Sequence, residues 1–478
     1  YPNYVSQETP VYEATSSMTT LYEMDSDAEK GAFYSISTAA ELGYLAQPCK
    51  FTHVAGCHVK IVAPSGSVLS VRAPKTVSAA FLQTSFPDYD HVFFVSTGGN
   101  DENGYRIDLT MDGDLDLQSG AIVDVTGMGY PIQTGMNFGP GKGIDAYGMN
   151  FGPSHGGSGA HASYAEGDYP KPYGSIFCPT NYGAASYYEP GGGRVKIVVK
   201  GAATVNGSIV ADGGPNPDGY CSGAGGSIYI RAQKIMQTGP LGANGGIVGN
   251  CSPGGGGRIA LVATDSAADA LSVDLAQISA YGGRGVSFPS GYPGTIYLER
   301  AADGGRGELV VKGANYSNQD HGYGYGAQLW DPEATDDYDF SKVTLLNAGE
   351  MVIAPGAELK TDAIVSDGDA TRKYLHVAGG TLKYSGSELV LTNMSFVGCR
   401  KDATKAGVHS QTGRVVVAGG AGLFKLDPSS TYTVDGAFEV SGDMQLVSGT
   451  KLTHTSHGTM KSTYKLTAIT NRMDLTVT

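Results

Sequence analysis

GGGGRIALVA, residues 254–263, joins four glycines to a short run of residues that favour β-strands. The order of the two parts matters, because a dinucleotide-binding loop places its glycines after a strand and before a helix. Here the glycines precede the strand, and no phosphate-loop or dinucleotide pattern fits. The stretch therefore indicates a tight return loop, in which side chains would obstruct the packing of one turn of chain on the next.

The strand in this stretch recurs along the chain. Four segments align on a glycine followed by alternating apolar residues, which is the period of a strand with one buried face. They are GRVKIVV from Gly193, GSIYIRA from Gly226, GRIALVA from Gly257 and GTIYLER from Gly294, at spacings of 33, 31 and 37 residues. YRIDLTM at 105–111 is an earlier copy.

A second element follows the first three segments and consists of an apolar residue, Ala, one variable residue and Gly-Gly. It reads GSIVADGG at 207–214, GPLGANGG at 239–246 and QISAYGG at 277–283. Each unit thus predicts a strand, a bend, a shorter strand and a glycine-rich loop. Such a unit buries its apolar face only when units stack. Because strands recur without helices between them, the sequence predicts an all-β fold, a parallel β-helix or β-solenoid.

The texture of the sequence divides the chain into three parts. Residues 1–60 lack the glycine pattern and are interpreted as an N-terminal arm or cap. Residues 61–340 form the glycine-rich β-helix, interrupted by a long Gly/Tyr-rich loop insertion at 130–190. Residues 341–478 contain shorter, faster-recurring strands, which favour a tighter solenoid continuation over a stacked β-sandwich. The best helical stretch, 264–277, predicts one or two turns at a corner.

Composition limits the classes of partner. The 478 residues carry a net charge of −14, which argues against nucleic acid. The chain has no run of 18 apolar residues, so no membrane span is expected. The final strand-like run, LTVT, is interpreted as an uncapped end.

Cysteines and sequons favour an extracellular, secreted or cell-surface protein. The even number of cysteines fits three disulfides without a zinc pattern, although the sequence leaves the pairing open. The cysteines are Cys49, Cys57, Cys178, Cys221, Cys251 and Cys399. Four sequons predict N-glycosylation at Asn206, Asn250, Asn315 and Asn393.

The sequence matches metal-binding motifs only in part. Asp112, Asp114 and Asp116 alternate as at the start of an EF-hand, but Leu117 and Val123 stand at its glycine and glutamate positions. These aspartates, and the pair Asp336 and Asp337, are interpreted as solvated acidic faces with surface calcium as the only cofactor candidate. His155 and His161 flank a glycine-rich turn and lack a third ligand.

No catalytic residues are predicted. The paired carboxylates of a polysaccharide hydrolase do not occur in the expected order, and neither does the acidic cluster of a lyase. Both activities are kept as an alternative to a non-enzymatic protein, with the pair Asp336 and Asp337 as the residues to test.

The tyrosines of the insertion are candidates for a contact surface. One interpretation is that they anchor a long loop on the solenoid, and the other is that they supply exposed aromatic area to a partner. They are Tyr147, Tyr164, Tyr169, Tyr173, Tyr182, Tyr187 and Tyr188.

The segments HGGSGAH, YGSIF, GGGRVKIVV, VNGSIVADGG, GAGGSIYIRA and GGGGRIAL, within residues 105–310, resemble the glycine-rich β-helix repeats of very large extracellular proteins. Such repeats occur in surface proteins of stramenopiles and other protists, and in bacterial adhesin-like proteins. The resemblance implies a fold related to pectin lyase, secretion and a structural role. We therefore expect a filament or surface-appendage subunit that contacts itself head to tail. A carbohydrate-binding adhesin that contacts glycans is the alternative among non-enzymatic roles.

Overall fold

A computed structural model describes the strands given below and much of the chain between them. Outside strands it describes residues 114–132 without 118 and 121, 139–142, 152–160, 171–216, 221–248, 252–285, 289–314, 316, 338–354 and 357–367. Side chains are described within residues 114–384. In these parts the protein is strand-rich and all-β, and its sheets are almost entirely parallel.

The strands are short, and most contain three to six residues. The strands of the first part are β1 (Val11–Glu13), β2 (Glu23–Met24), β3 (Phe33–Tyr34), β4 (Cys49–Phe51), β5 (Lys60–Ala63), β6 (Val68–Ser70), β7 (Arg106–Met111), β8 (Leu115–Leu117), β9 (Ile122–Asp124), β10 (Arg194–Val199), β11 (Ala202–Val205), β12 (Ser208–Val210), β13 (Ser227–Ala232), β14 (Lys234–Gln237), β15 (Leu241–Gly242), β16 (Arg258–Ala263), β17 (Leu271–Val273), β18 (Ile278–Ser279) and β19 (Thr295–Arg300).

The strands of the second part are β20 (Glu308–Lys312), β21 (Ala327–Leu329), β22 (Tyr338–Phe340), β23 (Lys342–Leu346), β24 (Glu350–Ile353), β25 (Glu358–Thr361), β26 (Ile364–Ser366), β27 (Lys373–Val377), β28 (Thr381–Tyr384), β29 (Glu388–Leu391), β30 (Met394–Gly398), β31 (Arg414–Val417), β32 (Leu423–Leu426), β33 (Thr431–Val434), β34 (Ala437–Val440), β35 (Asp443–Val447), β36 (Lys451–His454), β37 (Met460–Ser462), β38 (Leu466–Ile469) and β39 (Asp474–Val477). Two short 3-10 helices, Leu275–Gln277 and Ala301–Asp303, complete the described elements.

Most of the described strands pair with the third strand ahead in the chain. In the first part the sheet orders are β4-β7-β10-β13-β16-β19, β1-β5-β8-β11-β14-β17 and β6-β9-β12-β15-β18. In the second part they are β21-β24-β27-β30-β33-β36-β39, β22-β25-β28-β31-β34-β37 and β29-β32-β35-β38. The sheet that begins with β4 and reaches β19 continues through β20, β23 and β26 into the second part. We call this nine-stranded sheet the central sheet.

The sequence repeats are in register in the central sheet. Val195 pairs with Ile228, Ile228 with Ile259, and Ile259 with Ile296. The second element of the repeat is equally in register, because Ile209 pairs with Leu241 and Leu241 with Ile278. The alignment made from the sequence is therefore confirmed as a set of stacked, parallel strands.

Each unit of the first part contains three strands, where the sequence predicts two. The additional strands β11, β14 and β17 lie inside the predicted bend. The helical turns predicted within 264–277 reduce to the 3-10 helix Leu275–Gln277, with β17 just before it. Asp274 caps this helix because its Oδ1 accepts a hydrogen bond from the Ala276 N–H.

The central sheet has a separate hydrophobic core on each face. The first core is enclosed by the sheets of the first part, with Ile296 and Leu298 of β19 among its residues. The second core contains Tyr297 of the same strand, together with Leu309 and Val311 of β20. Because side chains alternate across a strand, these two groups point to opposite faces.

An antiparallel pair joins the two parts. β20 runs back along β19, with Ile296 opposite Val310. The turn between them passes through Ala301–Asp303 and through Gly304 and Gly305, whose φ angles are +61° and +84°. Strands β23 and β26 then run parallel to β20. The change in strand direction thus coincides with the change from the first core to the second.

A layer of glycine-rich loops packs against the first part, and we call it the glycine layer: residues 152–159, 191–193, 213–214, 223–226, 245–246, 254–257, 282–283 and 291–294. Backbone lies directly against backbone there. A Cβ atom at Gly256 would lie 2.0 Å from the carbonyl oxygen of Ala280, and one at Gly257 would lie 2.0 Å from that of Gly226. Only glycine fits at such distances, which explains why glycines recur with the strands.

Candidate functional site

The glycine run that opens the repeat has no free donors for a ligand. Its N–H groups donate to Ser222 Oγ, Pro153 O, Tyr292 O and Ala243 O, in the order of residues 254–257. A phosphate-binding loop works by pointing unpaired backbone N–H groups at the anion. Since all four donors are already used within the protein, the structural interpretation of this stretch is confirmed.

The insertion predicted at 130–190 is part of the glycine layer. Gly156 and Gly157 both donate their N–H groups to Gly256 O at 2.8 Å, and Gly255 donates to Pro153 O at 2.8 Å. Ala160 N–H donates to Pro253 O at 2.9 Å. We call residues 152–160 the docking segment. Chain from about 100 residues earlier thereby fills a place beside the 254–257 loop.

Polar residues at the first position of each long strand hold the rest of the insertion. Arg194, Ser227, Arg258 and Thr295 are successive register partners in β10, β13, β16 and β19. Arg194 Nη1 donates to Thr180 O, Ser227 Oγ to Asn181 O, and Arg258 Nε to Tyr173 O, at 2.6–2.9 Å. Arg258 is buried, and its Nη1 also donates to Thr295 Oγ1 at 3.0 Å. The variable residue after three of the four repeat glycines thus binds the insertion, and the fourth, Thr295, binds Arg258.

Two of the predicted contact tyrosines are anchors. Tyr182 is buried, and its ring meets the ring of Tyr130 edge to face with centroids 5.8 Å apart. The Tyr173 hydroxyl donates to Tyr182 O, and burial raises the pKa of Tyr173 well above its usual value. For these two residues the structure supports the anchoring interpretation.

Among the described tyrosines of the insertion, Tyr188 is exposed, and Tyr187 beside it is half-buried. Their rings lie 4.7 Å apart, and the Tyr188 side chain is 37% exposed. The turn that carries them is held by Ser186, whose Oγ accepts the N–H groups of Tyr188 and Glu189 at 3.2 and 2.8 Å. This turn therefore presents an aromatic pair from a fixed backbone. Tyr147, Tyr164 and Tyr169 lie outside the described residues.

His155 is buried in the docking segment. Its Nδ1 lies 2.7 Å from Gly225 O, and its ring packs against the Tyr173 ring at 4.8 Å between centroids, with the two planes tilted by 40°. Nε2 makes no hydrogen bond to the described protein atoms. Burial, and secondarily the nearby Arg258 guanidinium, lowers the pKa of His155 to about 3, so the ring is neutral. His161 lies outside the described residues.

The carboxyl ends of the long strands border an open groove. It has a volume of about 750 Å³ and is lined by Lys200, Arg231, Gln233, Thr264 and Asp265, among others. Lys200, Gln233 and Thr264 each directly follow strand β10, β13 or β16, so these side chains form a row along the stack. The groove therefore presents positively charged, amide, hydroxyl and carboxylate side chains, and those at the strand ends are separated by one strand spacing.

The acidic candidates do not assemble a metal site in the part of the chain that the structure describes. Asp114 is exposed, and its Oδ1 accepts the Ala202 N–H at 2.7 Å. Leu115 and Leu117 point inward as expected from the alternation, with Asp116 half-buried on the other face. No group of three metal-ligating side chains occurs among the described residues. Asp112, Asp336 and Asp337 lie outside them, so surface calcium and the proposed catalytic test remain predictions.

The sequons and cysteines are described only in part. Asn206 is half-buried in the turn between β11 and β12, where its Oδ1 accepts a hydrogen bond from Thr238 Oγ1 at 2.7 Å. Asn250, Asn315 and Asn393 lie outside the described residues. Cys178 is an exposed free thiol, which departs from the expectation that all six cysteines form disulfides. Cys221 is buried beside Val248, and the side chains of Cys49, Cys57, Cys251 and Cys399 are not described.

Sequence reasoning missed a polar column beside the glycine layer. The variable residues of the second repeat element stack, because Asp212 Oδ1 accepts the Asn244 N–H and Nδ2–H groups at 2.6 and 3.0 Å. Asn244 Oδ1 in turn accepts the Tyr281 N–H at 2.8 Å. Burial raises the pKa of Asp212 to about 6, although the two bonds from Asn244 oppose the shift. The repeat alignment contained the signal, since these residues occupy its one variable position.

Comparisons of the chain with protein-family models, with curated proteins and with solved structures gave no match. Among the described residues, no helix has the length and apolar character needed to cross a membrane.

Proposed function

We propose that the chain is wound as a parallel β-helix and serves as a non-enzymatic structural subunit of an extracellular filament or surface appendage. The observation that carries this proposal is the pairing of strands with the third strand ahead, which recurs from β4 to β39 among the described strands. It is interrupted by the antiparallel pair β19–β20 and between β26 and β29, which belong to different sheets. Three strands per coil, stacked in register, make a rod whose length grows with each repeat.

The antiparallel pair is compatible with one continuous rod. Between β19 and β20 the strand direction reverses, and the enclosed core moves to the other face of the central sheet. A rotation of 180° about the axis along which the strands stack reverses the strand direction and also exchanges the two faces of the sheet. The two observed changes therefore equal such a rotation, and a rotation leaves the hand of a coil unchanged. Both parts would therefore wind with the same hand and advance in the same direction. Nine strands at about 4.8 Å each give the central sheet a length of about 40 Å.

Strand edges favour end-to-end contacts. In the described residues β37, β38 and β39 each pair on one side only, with β34, β35 and β36. Unpaired strand edges are sites for strand addition. A second copy that pairs there would continue three sheets at once, and repetition of that contact would build a fibre.

The extracellular setting rests on the sequons and the cysteine pattern, with Asn206 placed at a corner of the stack. The free thiol of Cys178 does not add to this support. The resemblance to surface proteins of protists is consistent with the same setting.

Proline substitutions in β38 test the assembly. Consecutive residues of a strand direct their N–H groups to opposite sides, so either Thr467→Pro or Ala468→Pro removes an N–H group from the outer edge. The other variant removes an N–H group that faces β35. We expect the variant that loses the outer-edge N–H group to fold like the wild type and to lose assembly, as measured by sedimentation and electron microscopy. Monodisperse wild-type monomers at high concentration, without fibres, would refute the filament role.

A carbohydrate-binding adhesin is the second candidate, because the exposed Tyr188 packs against Tyr187 on a fixed turn. Aromatic faces bind sugar rings by stacking, which requires the ring and not the hydroxyl. On a glycan array we expect Tyr188→Phe to bind as the wild type and Tyr188→Ser to lose binding. Equal binding by all three proteins, or by none, would remove this candidate. Point variants are preferable to deletion of 130–190, since the docking segment belongs to the glycine layer.

A further inference from the structure

The docking segment is attached mainly through backbone hydrogen bonds to the 254–257 loop and through the buried side chain of His155. We propose that it is an acid-released strap: protonation of His155 drives residues 152–160 out of the glycine layer. This inference goes beyond the structural role, because it gives the insertion two states, docked and released.

The docked state fixes the tautomer of His155. Gly225 O is a carbonyl acceptor, so Nδ1 must carry the proton of the neutral ring and donate it at 2.7 Å. Nε2 is then an acceptor only. A second proton would create a donor at Nε2, in a buried position where that atom meets no described hydrogen-bond acceptor.

The charges around His155 oppose protonation. Arg258 of β16 lies close enough to act on the ring electrostatically, and the Gly225–Gly226 loop presents only backbone groups to it. From the insertion itself, the neutral phenol of Tyr173 packs against the ring. Among the described groups that influence the ring, none carries a negative charge that would stabilise an imidazolium. Released into water, the same side chain gains its ordinary affinity for a proton.

Release would also loosen the neighbouring part of the insertion. Tyr173 N–H donates to His155 O at 2.8 Å, and Tyr173 O accepts from Arg258 Nε at 2.9 Å. The Tyr292 N–H, which donates to Ser158 O at 2.9 Å, would lose its acceptor. These bonds link the strap to the polar row of the central sheet, so opening is expected to extend to Tyr173 and to leave the second part of the protein unaffected.

Hydrogen exchange of the full-length protein measures the opening. A folded pKa of about 3 against 6.5 in water predicts that the opening equilibrium rises roughly 30-fold between pH 7.5 and pH 5, and roughly 300-fold by pH 4. After correction for intrinsic exchange rates, protection of the Gly156 and Gly157 amides should fall by these factors. Amides of β23 in the second part serve as the internal control and should keep their protection.

The His155→Gln variant separates protonation from packing. Its amide can still donate to Gly225 O, but it does not titrate, so protection of Gly156 and Gly157 should no longer depend on pH. Unchanged wild-type protection between pH 7.5 and pH 5 would overturn the proposal, as would an equal loss in the variant. Should the variant not fold, NMR titration of His155 in the wild type decides. Protonation above pH 5 with the segment still docked would overturn the proposal, whereas protonation only together with loss of protection would support it.

Discussion

At the scale of single residues, the repeat glycines allow backbone to pack directly against backbone, whereas the polar residue that follows them makes side-chain hydrogen bonds. The order of glycines and strand was enough to predict a return loop and to exclude a dinucleotide site at residues 254–263. The partner of that loop could not be predicted, because Gly156 and Gly157 come from the insertion and nothing in the local pattern encodes so distant a contact. The same limit applies to Arg258, whose burial depends on Tyr173 and Thr295.

Gly256→Ala should destabilise the protein by at least about 3 kcal/mol. The new Cβ would lie 2.0 Å from Ala280 O and 2.6 Å from Gly294 N, and both are backbone atoms that cannot move alone. Gly305→Ala is the matched control, because a Cβ there meets nothing within 4 Å and only the φ of +84° is strained, at a cost of about 1 kcal/mol. Chemical denaturation of both variants measures the difference. Similar costs would mean that the glycine layer is loosely packed.

Asp212→Asn should raise stability at neutral pH. Between about pH 4 and pH 6 the folded state retains a proton on Asp212 that the unfolded state releases, so this contribution to stability is lost as the pH rises through that window. Asparagine keeps the acceptor for Asn244 without the charge. We expect a gain of about 1–3 kcal/mol at pH 7.5 and no gain at pH 3.5, from unfolding curves at both values. Destabilisation at pH 7.5 would show that the bonds to the carboxylate outweigh its burial.

At the scale of elements, the sequence predicted the long strands and the second repeat element because both alternate apolar residues in register. Strands β11, β14 and β17 were missed, since AATV, KIMQ and LSV share no visible pattern. The reversal at β20 was missed for another reason. The apolar run of ELVVK reads the same whether its strand is parallel or antiparallel, and a sequence pattern does not indicate which face of a sheet is covered.

Lys312 closes the end of the first core, and Lys312→Met should cost about 2–4 kcal/mol. Its Nζ donates to Leu275 O, Ala276 O and Ile278 O at 2.7–3.3 Å. Methionine fills the space but leaves these carbonyl groups without that donor. Lys234→Met provides the control, because Lys234 pairs with Asp269 at the exposed surface, where such ion pairs contribute little to stability. Thermal and denaturant unfolding compare the two variants, and equal effects would mean that Lys312 does not stabilise this end.

At the scale of the whole molecule, the change at residues 300–308 organises the chain. The sequence changes texture near Ser341, whereas strand direction and core change at the β19–β20 turn. Beyond it, the strands predicted from short alternating runs are parallel in the structure, with β23, β24 and β25 as examples. Strands from the predicted N-terminal arm also join the sheets, since β1 pairs with β5 and β4 with β7. Composition alone could not have placed them there.

Cross-linking by engineered cysteines tests the stacking of coils most directly. Thr204, Met236 and Ser272 are successive register partners on the outer face of β11, β14 and β17. Neighbouring strands lie about 4.8 Å apart, within reach of a disulfide, whereas strands separated by one intervening strand lie about 10 Å apart, which is too far. After oxidation, peptide mapping of Thr204→Cys/Met236→Cys and of Met236→Cys/Ser272→Cys should find the disulfide, and Thr204→Cys/Ser272→Cys should not form one. A folded protein in which Thr204→Cys/Ser272→Cys forms a disulfide as readily as the two neighbouring pairs would contradict the proposed stacking.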